Sequence, residues 1–350
     1  ELTELAELLG LPVGTSINGQ GSIDESHPLS LGVVGGNGAR PYANEVVAAA
    51  DLVMFVGCKT DSVTTLNWTL PANRGQVKII QLDVDPDEIG NTYPVEAGLA
   101  GDARTSLRVL LVEIKGQAAK LDGHFEREPW ADFAGMRTAW RAQQEPKMVA
   151  STSPLKPQRV MRALQEWLPP NSVIVADAGT GTPFTSAFYP SPAGRYIIIP
   201  RGYGGLGYAI PGVVGAKLAR PNAPIIGLVG DGSFGMSCGE LETIARLNLP
   251  VVLLLFNNAQ FGWIKTLQHL YREQRYLSVD FSADTDYTAI AQGFGVRGVR
   301  VEDGAALEGA LKSALASDRP TFIDVATESE VTETPPVAKW LQAASALPDE

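Results

Sequence analysis

The chain has 350 residues, which sets a prior of two domains. Apolar residues make up 45% and charged residues 19%, enough to fill a core and too apolar a mixture for global disorder. Lys and Arg number 28 against 39 Asp and Glu, a net charge of −11, which argues against nucleic acid or an anionic membrane as a partner.

Two cysteines, Cys58 and Cys238, are too few for a disulfide framework or a cysteine zinc site, and three histidines (His27, His124 and His269) do not make a metal cluster. Apolar runs such as residues 251–256 are far shorter than the ~20 residues of a helical bilayer span. The opening residues carry no secretory pattern, and a cytoplasmic location is the default expectation.

In chain order, Leu2, Leu5, Ala6, Leu8 and Leu9 form the apolar stripe of a helix that Gly10 ends. Residues 41–50 have helical spacing. Residues 51–57 (DLVMFVG) and 77–84 (VKIIQLDV) read as buried strands. This alternation predicts an α/β fold class, a doubly wound, mainly parallel, Rossmann-like domain over residues 1–115. It opens on a helix with no strand before it, so it reads as incomplete at its N-terminus. Residues 116–154, with Trp130, Trp140 and the polar run RAQQEPK, read as a helical linker.

A second α/β domain is expected over residues 155–350. Its helix candidate is 157–168, and its strand candidates are 173–176, 196–199, 225–229, 251–256 and 321–325. The C-terminal stretch, with Pro335 and Pro336, reads as a tail that packs over another part of the chain.

The most informative segment is residues 224–262, PIIGLVGDGSFGMSCGELETIARLNLPVVLLLFNNAQFG. A buried strand ends in a tight turn at Gly230-Asp231-Gly232-Ser233. Ser237 and Glu240 have the spacing of a capping box that starts a helix. Leu241, Ile244, Ala245 and Leu249 give that helix its inner face, Pro250 ends it, and the next buried strand exits at Asn257-Asn258. In such a βαβ unit Asp231 and Asn258 emerge on one edge of the sheet, the edge where open α/β sheets bind ligands. Their side chains are hard oxygen ligands suited to Mg²⁺ or Ca²⁺, and an ion with so few protein ligands completes its shell with water and phosphate oxygens. The glycines admit a phosphate close to backbone N–H groups. The only basic residue in the segment is Arg246 in mid-helix, so a diphosphate here would be neutralised by metal and backbone. The competing reading of Asp231 alone is an ordinary turn residue.

GDG followed by NN is similar to the thiamine diphosphate binding motif. The chain resembles the acetolactate synthase and benzoylformate decarboxylase group of thiamine diphosphate enzymes over nearly its whole length. HPLSLGVVGGNGARPYAN and IIQLDVDPDEIG look like their central domain, and the second half looks like their diphosphate-binding domain. The resemblance implies Mg²⁺ held by the side chains of Asp231 and Asn258 and by the backbone carbonyl of Gln260. It implies that Gly232 and Ser233 donate to the diphosphate and that Gly179 and Thr180, in DAGTGTPF, lie beside it. Leu206, in GYGGLGYAIP, would prop the cofactor into its bent shape, and the Gly204 carbonyl would accept from its aminopyrimidine. The competing reading of Leu206 is core packing. The implied activity is decarboxylation or carboligation of a small 2-oxo acid, or lysis of a related 2-hydroxyacyl compound, with the cofactor supplying the organic chemistry.

In this family the activating glutamate comes from a separate N-terminal pyrimidine-binding domain, usually on a neighbouring subunit. No glutamate of this chain matches it, so no catalytic residue is assigned here. The expectation is the C-terminal part of a longer or split enzyme, working as a homodimer or homotetramer. Three departures bear on the chemistry. GCKTDSV at 57–63 replaces an arginine-rich stretch, Thr180-Gly181 replaces a Gln-His pair, and Leu267 stands where a tryptophan lines the acetolactate synthase channel. They argue against FAD and against acetolactate formation. Lys59 reads as a surface lysine. Lys265, His269, Arg272 and Arg275 read as a polar helix face, and His27 as a loop residue.

Two other readings compete. Gly202, Gly204 and Gly207 spell the G-x-G-x-x-G of NAD-dependent oxidoreductases, with Asp231 as the ribose acid. Pro200 and Arg201 interrupt the approach to it, and it leaves Asn257-Asn258 unexplained. A non-catalytic subunit that keeps the cofactor fold is the third reading, and the intact Asp231/Asn258 pair argues against it.

Overall fold

The computed structural model describes residues 1–71, 77–117, 133–194 and 196–346. The chain starts with α1 (Leu2–Leu9), capped by Gly10 in the left-handed region at φ 62°. Short strands β1 (Val13–Thr15) and β2 (Ser30–Val33) pair in parallel, and α2 (Pro41–Ala48) follows. Strands β3 (Leu52–Val56), β4 (Lys78–Asp83) and β5 (Ala97–Ala100) form a parallel sheet in that order, and α3 (Ala103–Gln117) follows. Leu5 of α1, Leu82 of β4, and Leu107 and Leu111 of α3 make its core.

Helix α4 (Phe133–Met148) leads to α5 (Pro157–Trp167), β6 (Val173–Ala176), α6 (Gly181–Phe188), β7 (Ile197–Ile198) and α7 (Ala209–Ala219). Next come β8 (Ile225–Gly230), α8 (Asp231–Ser237), α9 (Leu241–Arg246), β9 (Val252–Asn257) and α10 (Gly262–Tyr271). The chain closes with α11 (Tyr287–Gly293), β10 (Arg297–Val301), α12 (Gly304–Leu315), β11 (Thr321–Ala326) and α13 (Ala338–Ala344). The large sheet is wholly parallel in the order β10-β11-β9-β8-β6-β7.

The fold class is therefore α/β with parallel sheets, as the alternating pattern implies. Side chains of each central strand alternate between two cores. Ile174, Ile226, Leu254 and Ile323 face α5, α6 and α12, while Val175, Ile225, Leu253 and Phe322 face α7, α9 and α11. Apolar burial on both faces is why these strands read as unbroken apolar runs. The strand order reverses between β6 and β8. From β6 the chain runs to β7 at one edge, and from β8 it runs to β9 on the other side. Ligands bind such sheets beyond the strands' C-terminal ends at this reversal.

Several expectations need correction. Residues 52–56 do form a strand, but it is only half-buried, with Leu52 42% exposed, because β3 is an edge of a small sheet. Strand 196–199 shrinks to the two residues of β7. Strands β1, β2, β5 and β10 were not anticipated: β5 is AGLA with every residue exposed, and β10 is RGVRV with a charged, partly exposed pattern. The Ser237–Glu240 capping box does not form. Gly230 ends β8 and Asp231 enters a helix at once, so the expected turn is the first turn of α8. The break falls later, at a 3₁₀ turn over Cys238–Glu240. The Ser237 hydroxyl is buried without a partner, and Glu240 accepts instead from Thr243 at 3.2 Å.

Trp130 lies outside the described residues, but Trp140 on α4 is a clasp. It meets Tyr42 edge-on at 6.0 Å and stacks on Phe188 at 5.6 Å, joining α2 to α6. Beneath it Arg40, 4% exposed, pairs with Glu25 at 2.5 Å and donates to the Ala187 carbonyl at 3.0 Å. The C-terminal tail does return over the chain: the Gly38 amide donates to the Pro336 carbonyl at 2.8 Å, and Trp340 packs on Trp263 at 4.2 Å. Among the described residues no helix is long and apolar enough to cross a membrane.

Breaking the buried pair leaves an uncompensated charge, which costs far more than the pair itself contributes. Arg40→Met should lower the unfolding free energy in urea by about 3–5 kcal/mol, and adding Glu25→Leu should restore most of it.

Candidate functional site

The C-terminal ends of β6, β8, β9 and β11 are neighbours, in register through Ala176–Leu228, Gly230–Phe256 and Asn257–Ala326. Each delivers one polar group to the same edge. Asp231, 5% exposed, stands at the start of α8. Its Oδ1 accepts from the Gly232 amide at 2.8 Å, and its Oδ2 from the amides of Asn258 at 3.1 Å and Gln260 at 3.2 Å. Both amides reach one oxygen because Ala259 between them takes a left-handed conformation, φ 56°, which is strained for a residue with a Cβ. Asp231, Asn258 and Gln260 are thus one cluster.

Asn258 donates through Nδ2 to Glu330 Oε2 at 2.6 Å. Glu330 also accepts from the hydroxyl of Thr180, the residue that begins α6. Glu330 is 2% exposed and follows β11 in the tail. Gly232 is required by close approach: a Cβ there would lie 2.5 Å from the Phe261 ring, which packs edge-on against Phe281 at 4.5 Å.

Asp177, at the end of β6, ties a second set of groups. It is fully buried, and its Oδ1 accepts from the Tyr208 amide at 2.8 Å, fastening the loop that carries Gly204 and Leu206. Gly207 of that loop lies against Met236 and Ser237, at the end of α8. Gly204 and Gly179 have φ 63° and 104°. Leu206 is 42% exposed, with Tyr203 fully exposed in the same loop and Met236 60% exposed, so core packing does not account for it. Gly179 lies in the loop between Asp177 and Thr180, and Ser233 is buried in the first turn of α8.

Two carboxyls at this edge are pushed strongly upward. Burial takes Asp231 to about 7; the amides of Gly232, Asn258 and Gln260 oppose the shift and the charge of Glu330 adds to it. Burial takes Asp177 to about 6, opposed by the amides of residues 207–209 and the Ser233 hydroxyl. Burial likewise raises Glu330 against the pull of Thr180 and Asn258. Among the described residues no ion pair reaches Asp231 or Glu330, and no group of three or more His, Cys, Asp or Glu side chains could hold a metal. An ion here would draw on carboxylate, amide and carbonyl oxygens and on its ligand.

The other flagged residues lie apart from this cluster. Lys59 is exposed and pairs with Glu88 at 3.3 Å. Lys265 pairs with Asp280 at 2.6 Å, His269 meets the Tyr276 hydroxyl at 2.8 Å, and Arg272 and Arg275 are exposed. His27 pairs with Glu7. The dinucleotide reading loses its ribose acid, because Asp231 follows β8 and β8 is not a neighbour of β7, the strand that precedes the glycines. Glu330 and Asp177 were not singled out from sequence. Asp177 opens the DAGTG stretch and sits where a strand candidate ends, which is a usable signal; Glu330 is one of several acids in the tail and offers none.

Comparison with known proteins decides the family. Residues 177–325 match the C-terminal TPP binding domain of thiamine pyrophosphate enzymes, and residues 1–110 match their central domain. The chain belongs to the thiamine pyrophosphate enzyme family. It is 32% identical over 348 residues to a "Probable acetolactate synthase large subunit" of Methanococcus aeolicus, covering 97% of this chain and 57% of that protein. It is 30% identical to the sulfoacetaldehyde acetyltransferase of Rhodobacter capsulatus, covering 94% and 58%. It is 29% identical to the acetolactate synthase isozyme 3 large subunit of Escherichia coli, covering 94% and 56%. The chain therefore spans somewhat over half the length of these relatives.

A raised native pKa means that the folded site holds a proton the unfolded chain has already released. Asp231 then costs stability progressively as the pH rises from about 4 to about 7 and no further above it. The melting temperature of Asp231→Asn minus that of the parent, measured without metal, should grow across that window and level off above it.

Proposed function

We propose that this chain binds thiamine diphosphate with Mg²⁺ and serves the decarboxylation or carboligation of a small 2-oxo acid. The observation that carries the reading is the convergence of Asp231, Asn258 and Gln260 at the reversal of a parallel sheet, inside the segment that matches the family's cofactor domain. The donor set fits the group. The buried Asp231 carboxyl has only uncharged hydrogen-bond partners, the amides of Gly232, Asn258 and Gln260, so a divalent cation is the missing compensation. The donors are hard oxygens, which select Mg²⁺ over zinc. Thr180 and Asn258 already hold an anionic group between them, the Glu330 carboxylate, so side chains of this edge suit a phosphate oxygen.

In this reading Asp231 would hold the metal with the oxygen lone pair its three amides leave over. The Asn258 amide oxygen and the Gln260 carbonyl would complete the protein's share of the ligands. Ser233, in the first turn of α8, and Gly179 and Thr180, before α6, would donate to the diphosphate, and the Gly232 amide, which donates to Asp231 Oδ1 in the free protein, would join them by leaving that carboxylate to the metal. Gly204 and Leu206 line the far end, where Leu206 props the cofactor and the Gly204 carbonyl accepts from it. When bound, the cofactor supplies the carbanion chemistry, and the protein supplies position and a dry, polarised seat. Asp177 is a positioning residue that holds the Gly204–Leu206 loop against the metal end.

The activating glutamate is proposed to come from a pyrimidine-binding domain or chain set against the exposed lip of Tyr203, Leu206 and Met236, in a homodimer or homotetramer. The chemistry proposed is the acetolactate synthase group's decarboxylation or carboligation, with acetolactate itself not assigned as product, and flavin plays no part in the proposal. The sulfoacetaldehyde acetyltransferase relatives point to acyl transfer as a second reaction class for the same site.

Titration calorimetry tests the assignment. The parent should bind thiamine diphosphate in Mg²⁺ and lose it in EDTA, and Asp231→Ala should lose at least ~100-fold in affinity. Unchanged Mg²⁺-dependent binding in Asp231→Ala would overturn the metal assignment.

A further inference from the structure

This inference rests on the cofactor reading and concerns Glu330, to which that reading gives no role once the cofactor is bound. The Glu330 carboxylate is held from three directions. Thr180 donates to one oxygen and Asn258 Nδ2 to the other at 2.6 Å, while the start of α10 closes over it. The fit is tight enough that a methyl on Gly262 would lie 1.7 Å from Oε2. The residues around it, Thr180 and Asn258, are the ones given above to the diphosphate and to its metal. A carboxylate oxygen and a phosphate oxygen accept the same hydrogen bonds, and two anions do not share one buried seat.

We propose that Glu330 is an internal anion that holds the diphosphate seat while the cofactor is absent, and that the metal-bound cofactor loads by displacing it. The flanking chain is fastened on both sides. Before it, the Thr327 amide donates to the Asn257 carbonyl at 2.9 Å and Glu328 pairs with Lys156 at 2.8 Å. After it, Glu333 is held by Lys147 at 2.5 Å, Gln158 at 2.7 Å and Lys156 at 3.1 Å. Between these anchors Ser329 closes a turn onto the amides of Val331, Thr332 and Glu333. Displacement is therefore a swing of the Glu330 side chain at the tip of a fixed turn rather than release of the tail. Because the seat is filled in the free protein, apparent cofactor affinity is reduced by the fraction of molecules in which Glu330 is out.

Two variants test this in the full chain, with no substrate present. Glu330→Ala removes the resident anion, and Glu330→Gln keeps its shape without its charge. Calorimetric titration with inorganic pyrophosphate and then with thiamine diphosphate, both in Mg²⁺, reads the seat alone and the whole cofactor. Both dissociation constants should fall at least ~5-fold in Glu330→Ala and by less in Glu330→Gln, with unchanged circular dichroism. Constants that stay the same in both variants overturn the proposal. Constants that rise in both overturn it too and make Glu330 a metal ligand. If neither parent nor variants bind either anion, the cofactor reading itself falls, whereas tight binding by the parent with no gain in the variants removes only the role of Glu330.

Discussion

The arrangement at the sheet edge depends on one carboxylate. Asp231 takes three backbone amides, one from its own helix and two from the exit of the next strand, and so ties the ends of β8 and β9 into a single unit. A lone buried carboxylate is costly, and amide dipoles alone leave Asp231 with its pKa near 7. The site is thus built with an electrostatic deficit that a cation would remove. A cation held this way in turn gives a diphosphate a counter-charge that the nearby side chains do not supply.

Around that unit the fold supplies rigidity. The strands that end at the site are buried on both faces, so their ends are fixed by two cores. Asp177 fastens a separate loop to the same edge from β6, and the tail brings Glu330 from β11. Four adjacent strands therefore lead to the site: Asp177, Asp231 and Asn258 directly follow β6, β8 and β9, and the turn after β11 carries Glu330. The clasp of Trp140, Arg40 and Glu25 joins α2, α4 and α6, and Thr180, the residue just before α6, lies inside the site. Packing in the first half of the chain bears on this sheet edge through that helix.

Much of this was legible in the sequence, for identifiable reasons. Central strands of a parallel sheet show as apolar runs, and 173–176, 225–229, 251–256 and 321–325 stood out for that reason. Asp231 and Asn258 stood out because polar residues followed two such runs directly. Exposed or glycine-containing strands such as β5 and β10 carry no such signature. The capping-box reading of Ser237 and Glu240 failed because the spacing rule does not know that α8 has already begun at Asp231. Glu330 was invisible because its meaning depends on a contact with Asn258 across 72 residues, made by a tail whose path no local pattern encodes.

The most direct test is a crystal structure of the full chain grown with thiamine diphosphate and Mn²⁺, using the anomalous signal to place the ion. The account predicts one peak at ~2.1–2.3 Å from a carboxylate oxygen of Asp231 and the amide oxygen of Asn258. It also predicts the Gln260 carbonyl in the coordination shell and the diphosphate against Thr180. A peak elsewhere, or a bound cofactor with no ion between residues 231 and 258, contradicts it.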